Sequence, residues 1–155
     1  MNSLRPILLA EDNPADVELT LEALRTAHIA NEIIHLPDGE AVLDWLHARD
    51  RFADRPPGLP ALLMLDLKMP KIGGLEVLQQ LKSDPRLRTL PVVVLTSSRE
   101  EQDVVRSYQL GVNGYVVKPV EYHCFIEAVS QLGVFWALVN EPPPNRPLAD
   151  ENPSS

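Results

Sequence analysis

The chain has one cysteine, Cys124, in 155 residues. An internal disulfide is therefore impossible, and a reducing, cytoplasmic setting is the expectation. No apolar run approaches the roughly 20 residues of a membrane-crossing helix, so no membrane partner is expected. The opening residues, Met1 to Pro6, have neither the apolar stretch nor the small-residue cleavage site of a secretory leader. Positive charge is also scarce. Fourteen Lys and Arg face 22 Asp and Glu, a formal net charge of −8 that repels phosphate backbones and argues against direct nucleic-acid binding. There is no Walker loop, helix-turn-helix pattern or internal repeat, and His28, His35, His47 and His123 show no clustered metal-ligand spacing. What is present is an ordinary globular composition, 45% hydrophobic and 23% charged, of a length suited to one core.

Three short runs, Ile7 to Ala10, Ala61 to Leu65 and Val92 to Leu95, are continuously apolar. They do not alternate as half-solvated strands would, which predicts parallel strands buried on both faces. Glu32 to Leu36 and Gly114 to Val117 are two weaker strands. Between them lie helical patterns. Val17, Leu21 and Leu24 share a face after Asn13-Pro14, where Asn13 can cap and Pro14 suits the first turn. A second helix holds Ala41 to Leu46 after the Asp38-Gly39 turn. A third runs from Leu75 to Lys82, and a fourth from Glu100 to Leu110, ending at Gly111. Strand and helix alternate five times, which predicts an α/β fold with helices on both faces of a parallel sheet.

The last helix is predicted over about Glu121 to Val139. Tyr122, Phe125, Ile126, Val129, Leu132 and Trp136 form the expected core stripe. Cys124, Ala128, Phe135 and Leu138 form a second stripe beside it, which is either a wide buried face or a contact with another chain. His28 falls on the first helix's apolar stripe and is read as half-buried. Asp50 to Pro60 is a long connection, a linker or a partner-contact loop. One folded domain is expected over residues 1–140. Residues 141–155 are rich in proline and offer little to bury, so they read as a flexible tail with no room for a further domain.

In a doubly wound sheet the site forms outside the carboxyl ends of the strands, where the strand order reverses. Those ends carry Glu11-Asp12, Asp66, Thr96-Ser97-Ser98 and Lys118-Pro119. Crowded carboxylates repel one another and are best reconciled by a hard divalent cation; Mg²⁺ suits such oxygen ligands. Asp66, the only carboxylate on the central strand, is the natural nucleophile for an acyl phosphate. Lys118 and the hydroxyl of Thr96 or Ser97 can neutralise the remaining phosphoryl oxygens. Taken singly, Glu11 or Asp12 reads as a helix cap, Thr96 as a β-former and Lys118 as a solvated lysine. The five together, at the ends of four strands, are hard to explain that way.

These residues resemble the receiver domain of two-component response regulators, the CheY-like family. The matching segments are Ile7-Leu8-Leu9-Ala10-Glu11-Asp12-Asn13, Leu65-Asp66-Leu67-Lys68-Met69-Pro70 with Gly73-Gly74, Val94-Leu95-Thr96, and Gly114-Tyr115-Val116-Val117-Lys118-Pro119. The likeness covers about residues 5 to 138. It implies a five-stranded sheet in order 2-1-3-4-5 flanked by five helices, with Asp66 phosphorylated by a sensor histidine kinase. It further implies that Asp12 ligates Mg²⁺, that Glu11 acts through water, and that the Lys68 backbone carbonyl completes the set with Asp66. Thr96 and Tyr115 become the switch pair, and Lys118 precedes a cis Pro119. The phosphorylated state would then change the surface made by the fourth helix, fifth strand and fifth helix. Such a protein is not an enzyme beyond catalysing its own phosphorylation and dephosphorylation.

More narrowly, Glu11 to Asp16, the Asp50 to Pro60 loop, Leu90 to Thr96 and Phe135-Trp136 resemble the small regulators that partner bacterial and cyanobacterial phytochromes. This points to a bacteriophytochrome as the kinase and to a homodimer through the last helix, with Cys124, Ala128, Phe135 and Leu138 at the interface. Two rivals fit less well. A phosphatase of the haloacid dehalogenase type needs an Asp two positions after the nucleophile, where Lys68 stands. A flavodoxin-like binder needs a Ser/Thr/Gly-rich loop after the first strand, where Glu11-Asp12-Asn13 would repel a phosphate.

Overall fold

A computed structural model of the chain describes residues 5–112 and 114–132. The three apolar runs and the two weaker candidates become β1 (Ile7–Ala10), β2 (Ile33–Leu36), β3 (Leu62–Asp66), β4 (Val92–Thr96) and β5 (Gly114–Val117). They form one parallel sheet in the expected order, β2-β1-β3-β4-β5. β1, β3 and β4 are buried along their whole length, which is why their sequences show no alternation. Each fully buried Leu, Ile or Val there contributes about 1.5–3 kcal/mol of transfer free energy, so an interruption by a polar residue would be costly.

The helices are α1 (Pro14–Thr26), α2 (Gly39–Leu46), α3 (Gly74–Ser83), α4 (Arg99–Ser107) and α5 (Tyr122–Leu132). The period-2 pleat sends alternate strand residues to opposite faces. Leu8, Ala10, Leu63, Leu65, Val92 and Val94 pack with α2, α3 and α4. Ile7, Leu9, Leu62, Met64, Val93 and Leu95 pack with α1 and α5. None of the helices among the described residues is long and apolar enough to cross a membrane.

Local chemistry sets the helix starts. The Asn13 side chain accepts from the backbone N–H groups of Ala15 (2.9 Å) and Asp16 (3.1 Å), with Pro14 at the first helical position. Asp38 caps α2 through the Ala41 N–H at 2.8 Å, and Ser98 caps α4 through the Glu101 N–H at 3.2 Å. At the start of α3, Gly74 lies so close to the end of β3 that a Cβ there would collide with the Asp66 carbonyl oxygen and sit 2.7 Å from Leu67 Cα. Gly39 is similarly tight, its missing Cβ facing the Ile72 carbonyl. The loop that follows Asp66 is thus closed at both ends by glycines with no room for a side chain.

Several expectations change. α4 stops at Ser107, not Leu110, because Gln109 adopts φ 55° and Gly111 φ 74°, which the helix cannot continue through. His28 lies past the end of α1 at φ 56° and is exposed, so it does not belong to the apolar stripe. In α5 the buried residues are Phe125, Ala128 and Val129, while Tyr122 is 38% exposed. The core stripe is rotated toward Ala128. The expected tail, residues 141–155, and Phe135, Trp136 and Leu138 lie outside the described residues.

Candidate functional site

The strand order reverses between β1 and β3, and the register brings the carboxyl ends of three strands level. Ala10 pairs with Leu65, and Asp66 pairs with Leu95. Glu11, Asp66 and Thr96 therefore emerge within about one residue of the same height, on neighbouring strands. Glu11, Asp12 and Asp66 each offer a carboxylate oxygen, and these oxygens lie within 4.8 Å of one another. Glu11 and Asp66 are buried; Asp12 is exposed. Lys118 arrives from the loop after β5, its backbone N–H donating to the Thr96 carbonyl at 2.7 Å, and it precedes a cis Pro119 as expected.

The Lys118 ammonium serves several anions. Its Nζ is 3.3 Å from Asp66 Oδ1, 3.4 Å from Glu11 Oε1 and 3.1 Å from Asp16 Oδ2. Burial works against its charge, but Asp66, Asp16 and Glu11 outweigh that penalty and hold the ammonium above its ordinary pKa. Glu11 moves the other way. Burial, reinforced by the adjacent Asp66 charge, pushes its carboxyl up to about 7. A proton on Glu11 near neutral pH is the response of a carboxylate cluster with too little positive charge. An all-oxygen donor set that is short of cation is what a hard divalent ion requires, so these residues fit Mg²⁺.

Thr96 is fully buried, and its hydroxyl has no hydrogen-bond partner among the described residues. Tyr115 pairs with Val94 across β4 and β5, so the pleat places it on the same face as Thr96. The Tyr115 ring is half-buried and lies 4.5 Å beneath the Arg106 guanidinium. Burial raises its phenol pKa, with Arg106 pulling the other way.

Lys68 is tied to the site twice. Its backbone N–H donates to Asp66 Oδ1 at 3.4 Å, and its Nζ lies 3.0 Å from Glu101 Oε2. Glu101 also accepts from the Ser97 N–H at 2.8 Å. Burial alone would raise its pKa, but the Ser97 and Lys68 contacts prevail and hold it below the ordinary carboxylate value.

Asp16 and Glu101 are two residues that sequence reasoning missed. Asp16 is two positions into a helix capped by Asn13, in the turn nearest the site. Glu101 stands three residues after Ser98, the spacing of a capping box. Here its carboxylate reaches past Ser98 to the Ser97 amide.

Of the four residues expected at a dimer interface, Cys124 and Ala128 are among the described residues. Cys124 is exposed on α5. Ala128 is buried in the chain's own core beside Phe125 and Val129, because α5 turns that position toward the sheet. Phe135 and Leu138 lie outside the described residues.

Residues 7–130 match the response regulator receiver domain family. The chain is similar to the bacteriophytochrome response regulator AtBRR, with 58% identity, a TM-score of 0.86, and coverage of 90% of this chain and 100% of that one. It is 41% identical to Response regulator Rcp1 of Synechocystis sp. over 135 residues, 87% of this chain and 90% of Rcp1. A structure of the Mn²⁺-bound form of Rcp1 superposes with a TM-score of 0.68, covering 90% of this chain and 99% of that one. The phosphorylated cyanobacterial phytochrome response regulator RcpA shares 37% identity and a TM-score of 0.69 over 86% of this chain and 94% of its own. On the extent of these matches, the chain belongs to the response regulator receiver domain family.

Proposed function

We propose that this chain is a phosphorylation-dependent signalling protein in which Asp66 accepts a phosphoryl group from a sensor histidine kinase. One observation carries the reading: Lys118 Nζ lies 3.3 Å from a buried strand-end carboxylate, Asp66, that belongs to a cluster of three. Asp12, Asp66 and the Lys68 carbonyl would hold Mg²⁺, with Glu11 behind them. When bound, Mg²⁺ supplies positive charge to the phosphoryl oxygens.

The chain's own residues supply the rest. An Asp66 carboxylate oxygen forms a bond to phosphorus as the bond from phosphorus to the donor's imidazole nitrogen breaks, giving an acyl phosphate and a histidine that regains its proton. Lys118 already sits on Asp66 and neutralises charge on the transferring group. The unpartnered Thr96 hydroxyl is free to donate to a phosphoryl oxygen. Its movement inward would make room for the Tyr115 ring, altering the surface of α4, β5 and α5. The similarity to AtBRR, Rcp1 and RcpA supports a phytochrome as the kinase that provides the phosphoryl group.

The test is labelling by acetyl phosphate with Mg²⁺, read as a mobility shift on a phosphate-affinity gel. Wild-type protein is expected to take one phosphoryl group per chain, and Asp66→Asn none. Undiminished labelling of Asp66→Asn would move the acceptor elsewhere. Repeated turnover of a small phosphate ester would make the chain a phosphatase instead.

A further inference from the structure

The cap of α4 holds a carboxylate that the phosphorylation chemistry does not use. Glu101 is largely buried, with 18% of its side chain exposed, and reaches back across the mouth of the Asp66 site. Its Oε1 takes the Ser97 N–H at 2.8 Å, and its Oε2 lies 3.0 Å from Lys68 Nζ. Its backbone is pinned by the Ser98 cap. Both of its partners border Asp66. Ser97 follows Thr96, and Thr96 follows Leu95, the residue paired with Asp66. Lys68 follows two residues after Asp66 and donates its own N–H to the Asp66 carboxylate.

A carboxylate oxygen and a phosphoryl oxygen seek the same donors, an ammonium and a backbone N–H. In the unphosphorylated chain Glu101 holds one of each. We propose that Glu101 is a built-in competitor for the phosphoryl group, a positioning residue that keeps Ser97 and Lys68 engaged until phosphorylation displaces it. This rests on the phosphoryl-acceptor reading of Asp66. The Lys68 side chain is 77% exposed, so its ion pair is weak on its own account, and the shorter bond to the Ser97 amide is the stronger part of the hold.

Competition has a signature that an architectural ion pair lacks. Removing the competitor should favour a phosphoryl ligand, and removing a donor should disfavour it. Loss of a merely structural contact would move both variants the same way.

The experiment is calorimetric titration of the full chain with beryllium trifluoride anion, a phosphoryl mimic, in saturating Mg²⁺ at pH 7.5. Glu101→Gln should bind it about fivefold more tightly and Lys68→Met about threefold more weakly, the difference between a charge-assisted and a neutral hydrogen bond. Affinity for Mg²⁺ alone should stay within about twofold in Glu101→Gln, since Glu101 is not among the expected ligands. Glu101→Asp keeps the charge but is one methylene too short to serve both partners, and should fall between wild type and Glu101→Gln; it replaces Glu101→Gln if that variant does not fold. Equal affinities, or shifts of the same sign in the Glu101 and Lys68 variants, overturn the competitor role while leaving Asp66 as the acceptor. Failure of wild-type protein to bind the mimic at all overturns both.

Discussion

Two cations, one at each end of the sheet, are held in opposite ways. At the amino ends of the strands, Arg55 lies with its guanidinium 3.8 Å above the Trp45 ring. Among the described residues its N–H groups meet only backbone carbonyls: Trp45 and Pro56 at 2.6 Å each, Gly58 at 3.1 Å and Leu46 at 3.3 Å. At the carboxyl ends, Lys118 meets Glu11, Asp16 and Asp66. Neutral acceptors and an aromatic face fill the hydrogen-bond capacity of Arg55 without neutralising its charge, and they hold the Asp50–Pro60 connection against α2. Around Lys118 the negative charges outnumber the positive. A surplus of one sign in a buried place is unstable by itself and calls for something from outside. Filled hydrogen bonds mark structure at Arg55, and a surplus of carboxylates marks the candidate site at Lys118.

Exchanging the assays of the two cations tests this most severely. Lys118→Met should lower acetyl phosphate uptake about 100-fold, because the transferring group loses a positioned charge. Arg55→Ala should leave uptake per folded molecule unchanged. It should cost about 3 kcal/mol in urea unfolding, from several carbonyls left without a donor and a lost cation–π contact. A phosphorylation defect in Arg55→Ala at equal folded fraction would erase the distinction.

A smaller effect comes from pH. The Glu11 carboxyl is raised in the folded protein from 4.5 to about 7, so the folded state holds its proton more tightly than the unfolded chain does. Stability contributed by that proton is present at low pH and is lost as pH climbs through 7. Without metal, unfolding free energy should fall by about 2 kcal/mol between pH 5.5 and 8. Mg²⁺ should restore more at pH 8 than at pH 5.5, since Glu11 is then ionised and needs a counter-charge. Urea midpoints in EDTA and in Mg²⁺ measure this, and equal Mg²⁺ gains at the two pH values would contradict it. The smallest expected change belongs to Asp16→Asn. It relieves Lys118 of one carboxylate, and uptake should rise about two- to fivefold. A slower rate would instead make Asp16 a guide that brings the ammonium to Asp66.

Much of this was readable before any coordinates. Unbroken apolar runs announce strands covered on both faces, and the five strand-end residues follow from where a doubly wound sheet places its crevice. β5 was legible to the residue, Gly114 to Val117. What stayed hidden was contact between side chains of different elements. Asp16 reaches Lys118 over 102 positions, and nothing in a helix's first turn specifies which distant lysine it will face. Glu101 had the capping spacing, yet only the fold of the loop shows that it takes the Ser97 amide instead. On α5 two apolar stripes are adjacent, and the sequence left open whether the second is buried. Which one meets the sheet depends on how far the helix is rotated, and that is settled by the packing of Phe125 and Ala128.

The glycines that close the loop after Asp66 give the site a mechanical bias. With the Gly74 position pressed on the Asp66 carbonyl and the Gly39 position on that of Ile72, the wall carrying Lys68 has no slack on the α2–α3 side. The opposite wall, from Thr96 to the start of α4, is held by side-chain hydrogen bonds that can be exchanged without moving a strand. A change at Asp66 therefore meets close-packed backbone on one side and exchangeable hydrogen bonds on the other. A partner sensitive to the proposed phosphorylation would gain most by contacting the exchangeable side.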